Sequence, residues 1–312
     1  MYIRKKILFL LSLIFSLSVL SSDIEEIIVK GEYREKSLGE EDSSIAVIQS
    51  EQIKSQAIKH FQQLSHLVPN LNYAASDSRA RYFQIRGIGE RSGYQGTPNS
   101  SVGFLIDDID YSGQGGIATL FDVDQVEVFR GPQGSRSGAN ALAGLIYIKT
   151  KDPTEKFEGT SELTLGDYGT QNIGIAFGGP MQNKKLKYRL VLRTDYADGF
   201  RKNIYLNKSD TSKKDELTLR YKLNWELNET TNLDFLVSKV DMDDPADIWT
   251  IDGSLNTLSD RPGMDSQNTN SYGIKITKDF SNFTVQSLTS ATKTDVIFSY
   301  DADWGNADSH FP

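Results

Sequence analysis

Residues Gln125 to Lys151 read QVEVFRGPQGSRSGANALAGLIYIKTK. They spell strand, glycine-rich turn, strand. Val126 and Val128 on one side, and Leu145, Ile146 and Ile148 on the other, are the β-branched and apolar positions of two strands. Between them lie Gly131, Pro132, Gly134, Gly138 and Gly144. Glycine admits positive φ and lets another backbone come close. The sequence before this hairpin has the mixed pattern of a compact α+β domain. The sequence after it becomes a row of long alternating strands.

That row begins at Phe157. In LKYRLVLRTDY, Leu186, Tyr188, Leu190, Leu192, Thr194 and Tyr196 share one face, and Lys187, Arg189, Arg193 and Asp195 share the other, with Val191 as an exception. In ELTLRYKLNWE, Leu217, Leu219, Tyr221, Leu223 and Trp225 oppose Thr218, Arg220, Lys222, Asn224 and Glu226. Strands of about 9–11 residues with one apolar and one charged face are what a transmembrane β-barrel needs. Lipid offers no hydrogen bonds, so a spanning sheet must close on itself. Tyr196 and Trp225 fit an interfacial aromatic girdle. A soluble sandwich also alternates, but over strands nearer about 5 or 6 residues. Connections alternate too: GGPMQNKK and NETT are short, whereas 199–214 and 241–268 are long. Membrane barrels place short turns on the periplasmic side and long loops outside.

Before the hairpin, Arg4, Lys5 and Lys6 precede an apolar run from Ile7 to Leu20, short of the ~20 residues that span a bilayer. Ser21, Ser22 and then acidic residues follow, which makes 1–22 a secretory signal peptide. The segment IEEIIVKG, Ile24 to Gly31, is hydrophobic with charged flanks, and 32–43 read as a charged flexible linker. Such a segment either adds as a strand to a partner's sheet edge or forms an edge strand of its own domain. Ser50 to Val68 has helical periodicity through Ile53, Ala57, Phe61 and Leu64, with Ser50 as cap and Pro69 as stop. Tyr82 to Gly87 and Val102 to Ile106 read as strands, and 90–101 and 112–116 as glycine-rich loops.

The 312 residues allow one or two domains. There is no cysteine, so no disulfide, thiolate metal site or acylated N-terminal cysteine is available. His60, His66 and His310 read as surface histidines. Asp107, Asp108 and Asp110 lack the frame of a calcium loop and read as a solvated strand end. The glycines at 131–144 lack the lysine of a phosphate loop. A net charge of −8 with no basic patch argues against nucleic acid. No serine–histidine pair or zinc cluster supports an enzyme, and no cofactor or resident metal is expected.

The chain resembles a TonB-dependent outer-membrane receptor over nearly its whole length. The resemblance rests on YFQIRGIG (Tyr82 to Gly89), on VGFLIDDIDYS (Val102 to Ser112), and above all on VEVFRGPQGSRSGANALAGLIYIKTKDP (Val126 to Pro153). Lys30 stands where many members have Thr, and Ala139 where many have Arg. The resemblance implies a TonB box at Glu25, Glu26, Ile27, Ile28, Val29, Lys30 and Gly31 within 23–43, a plug over 44–155, and the first strands of a barrel over 156–312. It implies structural roles in the plug for Arg86, Gly87 and the hairpin glycines and proline, and a buried charged network between plug and wall, with Glu127 and Arg130 at the matching positions. Arg91, Tyr94, Gln95 and Tyr111 are candidate ligand contacts on outward plug loops, with long loops around Tyr205 and Trp249 closing over them.

Function follows as energised uptake of a scarce ligand, an iron complex such as a ferric siderophore, or else haem, cobalamin or a sugar. The expected partners are TonB with its inner-membrane energising complex, the extracellular ligand, and outer-membrane lipid and lipopolysaccharide. The setting is the outer membrane, with plug and box reached from the periplasm. Roughly seven strands fall short of the about 22 that surround a plug. The sequence is therefore expected to be part of a longer barrel, and to aggregate alone through unpaired edges. A passive porin and a soluble exported sugar-binding protein are the competing readings. The plug motif and the IEEIIVKG segment argue against both.

Overall fold

A computed structural model describes residues 26–75, 79–92, 99–181 and 184–310. The signal peptide and Glu25 lie outside the described residues. The chain divides into two compact units, with the boundary between Glu41 and Asp42. In the first, β1 (Ile28–Val29) pairs antiparallel with β2 (Lys36–Ser37), and Leu38 N–H donates to the Ile27 carbonyl at 2.8 Å. The apolar tether therefore folds back on its own linker.

The second unit opens with a five-stranded sheet. Its strands are β3 (Ile45–Gln49), β6 (Val102–Ile106), β7 (Ile109–Asp110), β8 (Val123–Arg130) and β9 (Gly144–Thr150), in the order β3-β8-β9-β6-β7. A smaller hairpin joins β4 (Leu71–Ala74) to β5 (Tyr82–Ile85). The 125–151 hairpin forms as read: β8 and β9 are antiparallel, with Val126 opposite Ile148 and Val128 opposite Ile146. The turn between them carries a short α2 helix (Gly134–Ser137), and β9 pairs parallel with β6 on its other side. Both of its faces are buried, which accounts for its nearly unbroken apolar run. Gly144 is required where it stands, because a Cβ there would lie 2.3 Å from the Phe129 carbonyl oxygen and 2.6 Å from Ile85. Phe61, Phe83 and Phe104 pack with centroids 4.9–5.5 Å apart in the core beneath this sheet.

The helix expected over Ser50–Val68 is broken. Helix α1 covers Ser50–Ser55, with Ser50 its first residue and Gln49 at the N-cap position making no side-chain cap hydrogen bond, and a 3-10 segment covers Phe61–Leu67. Between them Ala57 has φ 53°. The backbone of 59–61 is drawn instead to the strand-like segment 118–120: Leu120 N–H donates to Lys59 O at 2.8 Å, and Phe61 N–H to Ala118 O at 3.0 Å. His60 is buried, not a surface residue. Its Nε2–H donates to Gly116 O at 2.9 Å while Nδ1 accepts from Gln62 N–H. Tertiary hydrogen bonds outweigh the helical periodicity here.

From 158 on, seven strands form one antiparallel sheet among the described residues. They are β10 (Glu158–Leu165), β11 (Gln171–Pro180), β12 (Leu186–Ala197), β14 (Lys214–Asn228), β15 (Thr231–Ala246), β17 (Gly263–Asp279) and β18 (Thr284–Ser299), paired in chain order. The two longer connections meet through β13 (Lys202–Asn203) and β16 (Asn256–Thr257). Strands reach 17 residues, longer than a membrane crossing alone requires.

The burial of this sheet is inverted relative to a soluble protein. Lys187, Arg189, Arg193, Thr218, Arg220, Lys222, Asp265 and Gln267 are buried. The apolar positions between them face outward, with Leu190 38% and Tyr272 51% exposed. A wall with polar residues inside and apolar residues outside is that of a membrane barrel. The outward face is therefore expected to be lipid-bathed. Leu190→Arg should destabilise the assembled protein in lipid vesicles by about 2–4 kcal/mol. On a water-facing surface the same change would stay within about 0.5 kcal/mol. Unfolding titrations in vesicles distinguish the two.

Candidate functional site

The inward charges of the wall need partners, because an unpaired buried charge costs several kcal/mol. The inner domain supplies them at two heights. Near the long-loop end, Arg79 makes a two-pronged contact with Glu216 of β14 at 2.7 and 2.9 Å, and Arg81 pairs with Asp265 of β17. Toward the short-turn end, Lys222 of β14 reaches Asp107 at 2.9 Å, Asp152 at 3.1 Å and the Thr150 carbonyl at 3.1 Å. Arg189 of β12 holds both oxygens of Asp122 at 2.7 and 2.5 Å, and reaches Glu158 at 2.9 Å.

Asp107 corrects the reading of a solvated strand end. Its side chain is 6% exposed and accepts from Thr150 N–H at 3.0 Å as well as from Lys222. Burial alone would raise its pKa, but Lys222, Lys149 and Arg220 outweigh that and hold it below the usual carboxylate range. Asp152 is held low in the same way, by Lys222 and Lys149 against burial. Asp108 pairs with Arg136, and Asp110 accepts from Ser112 N–H at 2.8 Å. No cluster of residues able to hold a metal occurs among the described residues.

The other expected positions distribute as follows. Arg86 and Gly87 form the positive-φ turn after β5, where Ile85 and Ile88 exchange backbone hydrogen bonds of 2.9 and 3.1 Å. Glu127 is buried within the inner sheet and accepts from Gln125, while Arg130 ends β8 and donates its N–H to Ser44 O at 2.8 Å. Ion pairs to the wall are made by Lys59, Arg79, Arg81, Asp107, Asp108, Asp122 and Asp152. Gly131, Pro132, Gly134 and Gly138 form the turn beside α2. Arg91 lies exposed after β5, and Tyr94 and Gln95 fall outside the described residues.

Tyr111 is not an outward ligand contact. It is 3% exposed and packs in the core with Ile117 and with Leu236 and Val240 of β15. Burial pushes its hydroxyl pKa up to about 12. It is one of the apolar contacts between inner domain and wall. The sequence signal that locates the actual partners is the charged face of β12 and β14. Arg189, Arg193, Arg220 and Lys222 alternate on it, and each points inward.

Residues 37–145 match the family described as TonB-dependent Receptor Plug Domain. The chain is 26% identical over 157 residues to the pesticin receptor of Yersinia pestis, covering 50% of this chain and 23% of that receptor. It is 25% identical over 158 residues to the vitamin B12 transporter BtuB of Vibrio vulnificus, covering 46% and 26%. In fold it is similar to the ferric yersiniabactin uptake receptor FyuA from Yersinia pestis, with a TM-score of 0.74 at 20% identity over 83% of this chain and 42% of that one. The ferripyoverdine receptor of Pseudomonas aeruginosa gives 0.69 at 18% identity over 90% and 38%. The chain thus spans about a quarter of the lengths of the first two receptors and about two-fifths of the solved ones.

The Lys222–Asp107 pair makes a two-part prediction. Lys222→Met leaves Asp107 charged and buried, and is expected to destabilise the receptor by about 3–5 kcal/mol. Asp107→Asn added to it should restore most of that loss. A double-mutant cycle on unfolding in detergent measures both. Because Asp107 titrates lower folded than unfolded, its stabilisation is complete above the ordinary carboxylate value and disappears as pH falls through the folded one. Stability attributable to this pair is therefore expected to stay flat from neutral pH down to about pH 4.

Proposed function

We infer that this chain, whose residues 37–145 match the TonB-dependent receptor plug domain, is part of an energised outer-membrane importer of an iron complex. The carrying observation is a plug joined by buried ion pairs to an inward-charged, outward-apolar wall. Such a wall closes into a barrel of about 22 strands around a plugged lumen. The plug blocks the lumen until work is done on it, and the family's work is delivered by TonB at the box. Glu25 to Gly31 is the segment it would take, and the edge of the Ile28–Val29 strand offers the backbone for strand addition. The receptor is a transporter and not a catalyst.

The iron complex is favoured by the company the chain keeps: relatives include receptors for ferripyoverdine and ferrioxamine B. A cobalamin is the second reading, supported by the similarity to the vitamin B12 transporter. Arg91, Tyr94 and Gln95 remain the proposed contacts on the outward plug loops. Tyr111 is withdrawn from that set.

Uptake of labelled ferric siderophores, haem, cobalamin and oligosaccharides by cells carrying the intact receptor tests the proposal. Ile28→Pro removes the N–H and should spoil strand pairing with the partner. The expected outcome is one transported ligand, whose entry the proline variant abolishes while binding at the cell surface persists. Uptake indifferent to Ile28→Pro would point to a passive channel instead.

A further inference from the structure

Phe121 and Asp122, just before β8, are gripped by the wall more fully than their neighbours. The Phe121 ring enters a notch formed by Gly174 and Ala176 of β11 and Val191 of β12. The Arg193 guanidinium lies 5.6 Å from the ring centroid, within cation–π range. A Cβ built on Gly174 would fall 2.7–2.9 Å from three atoms of that ring. Gly174 is in ordinary extended strand backbone, opposite Arg193. Its glycine therefore answers to the ring and not to the backbone.

The adjacent residue completes the grip. Asp122 has φ 60°, costly for a residue other than glycine, and its side chain and that of Arg189 are each 2% exposed. Arg189 takes both carboxylate oxygens, and Arg220 donates to the Phe121 carbonyl at 3.2 Å. Lys151 N–H donates to the Asp122 carbonyl at 3.1 Å. Three arginines of the wall thus fix one dipeptide of the plug. The ring also borders a cavity of about 220 Å³ between α1 and the wall, lined further by Ile53, Ile58, Leu120 and Glu162.

We propose that Phe121 seated in the Gly174 notch is the positioning residue that sets the plug in register with the wall and seals the cavity beside α1 against small solutes. The proposal rests on the reading of this domain as the plug of a transport barrel. Removing the ring would enlarge the cavity along the wall into the Gly174 notch. Placing a side chain on Gly174 would push the ring out of the notch. Doing both would refill the space from the other side.

The test uses the intact receptor in planar bilayers. Phe121→Ala and Gly174→Leu singly are expected to raise ion conductance several-fold over the parent, and the double variant to return it close to the parent. Singles that conduct no more than the parent, or a double that conducts as much as the two singles together, would overturn the proposal. A second measurement probes the notch from the wall side, with and without the Phe121 ring. The 312 residues hold no cysteine, so with any cysteine elsewhere in the intact protein changed to serine, Ala176→Cys carries a unique thiol. It should resist a water-soluble maleimide when Phe121 is present and react readily in the Phe121→Ala background. Rapid labelling with Phe121 in place would overturn the proposal by itself. Heat-modifiable migration and membrane insertion report the barrel reading separately, so its failure is visible independently of the conductance and labelling results.

Discussion

A cation buried in a low-dielectric wall must be paired, and this requirement organises the molecule. The outward face of the long sheet is apolar and exposed, so the polar residues alternating with it have only the interior to face. Arg189, Arg193, Arg220 and Lys222 cannot be hydrated by bulk water there. Their partners are partly neighbours in the wall, such as Glu158, Glu162 and Asp195, and partly carboxylates of the plug. Asp107, Asp122 and Asp152 lie at strand ends of the plug, where a short side chain can reach the wall while its backbone still ends a strand.

That chemistry suits a part that must both seat and move. Ion pairs and hydrogen bonds hold geometry strictly, yet removing the plug into water restores hydration to each partner. A seam built wholly of interdigitated apolar side chains would expose all of its area on separation. The seam here has apolar patches, Phe121 against β11 and Tyr111 against β15, set among the charges.

Much of this was legible before any coordinates. Period-two alternation identified the wall strands, and the 125–151 hairpin paired as its valines and isoleucines indicate. The exception noted on the charged face of β12, Val191, has its explanation in the notch that receives Phe121. What escaped the sequence depends on contacts distant along the chain. The helix over 50–68 breaks because segment 118–120 competes for its backbone. Asp107 looks like a strand-end carboxylate until Lys222, far away in the sequence, is brought beside it. Tyr111, in a polar glycine-rich stretch, resembles a loop tyrosine until β15 covers it. Local pattern carries no record of such pairings.

The central claim is that the wall has lipid on one side and the plug on the other, residue by residue. The 312 residues hold no cysteine, so with any cysteine elsewhere in the intact protein changed to serine, a single nitroxide can be placed at each position in turn along Leu217 to Trp225 of β14, in outer-membrane vesicles. Electron paramagnetic resonance then compares collisions with oxygen, which concentrates in lipid, and with a polar nickel chelate. The account predicts high oxygen access at Leu217, Leu219, Tyr221, Leu223 and Trp225, alternating with low access to both probes at Thr218, Arg220 and Lys222. Equal access of the polar probe to the two sets, or an apolar set protected from oxygen, would contradict it.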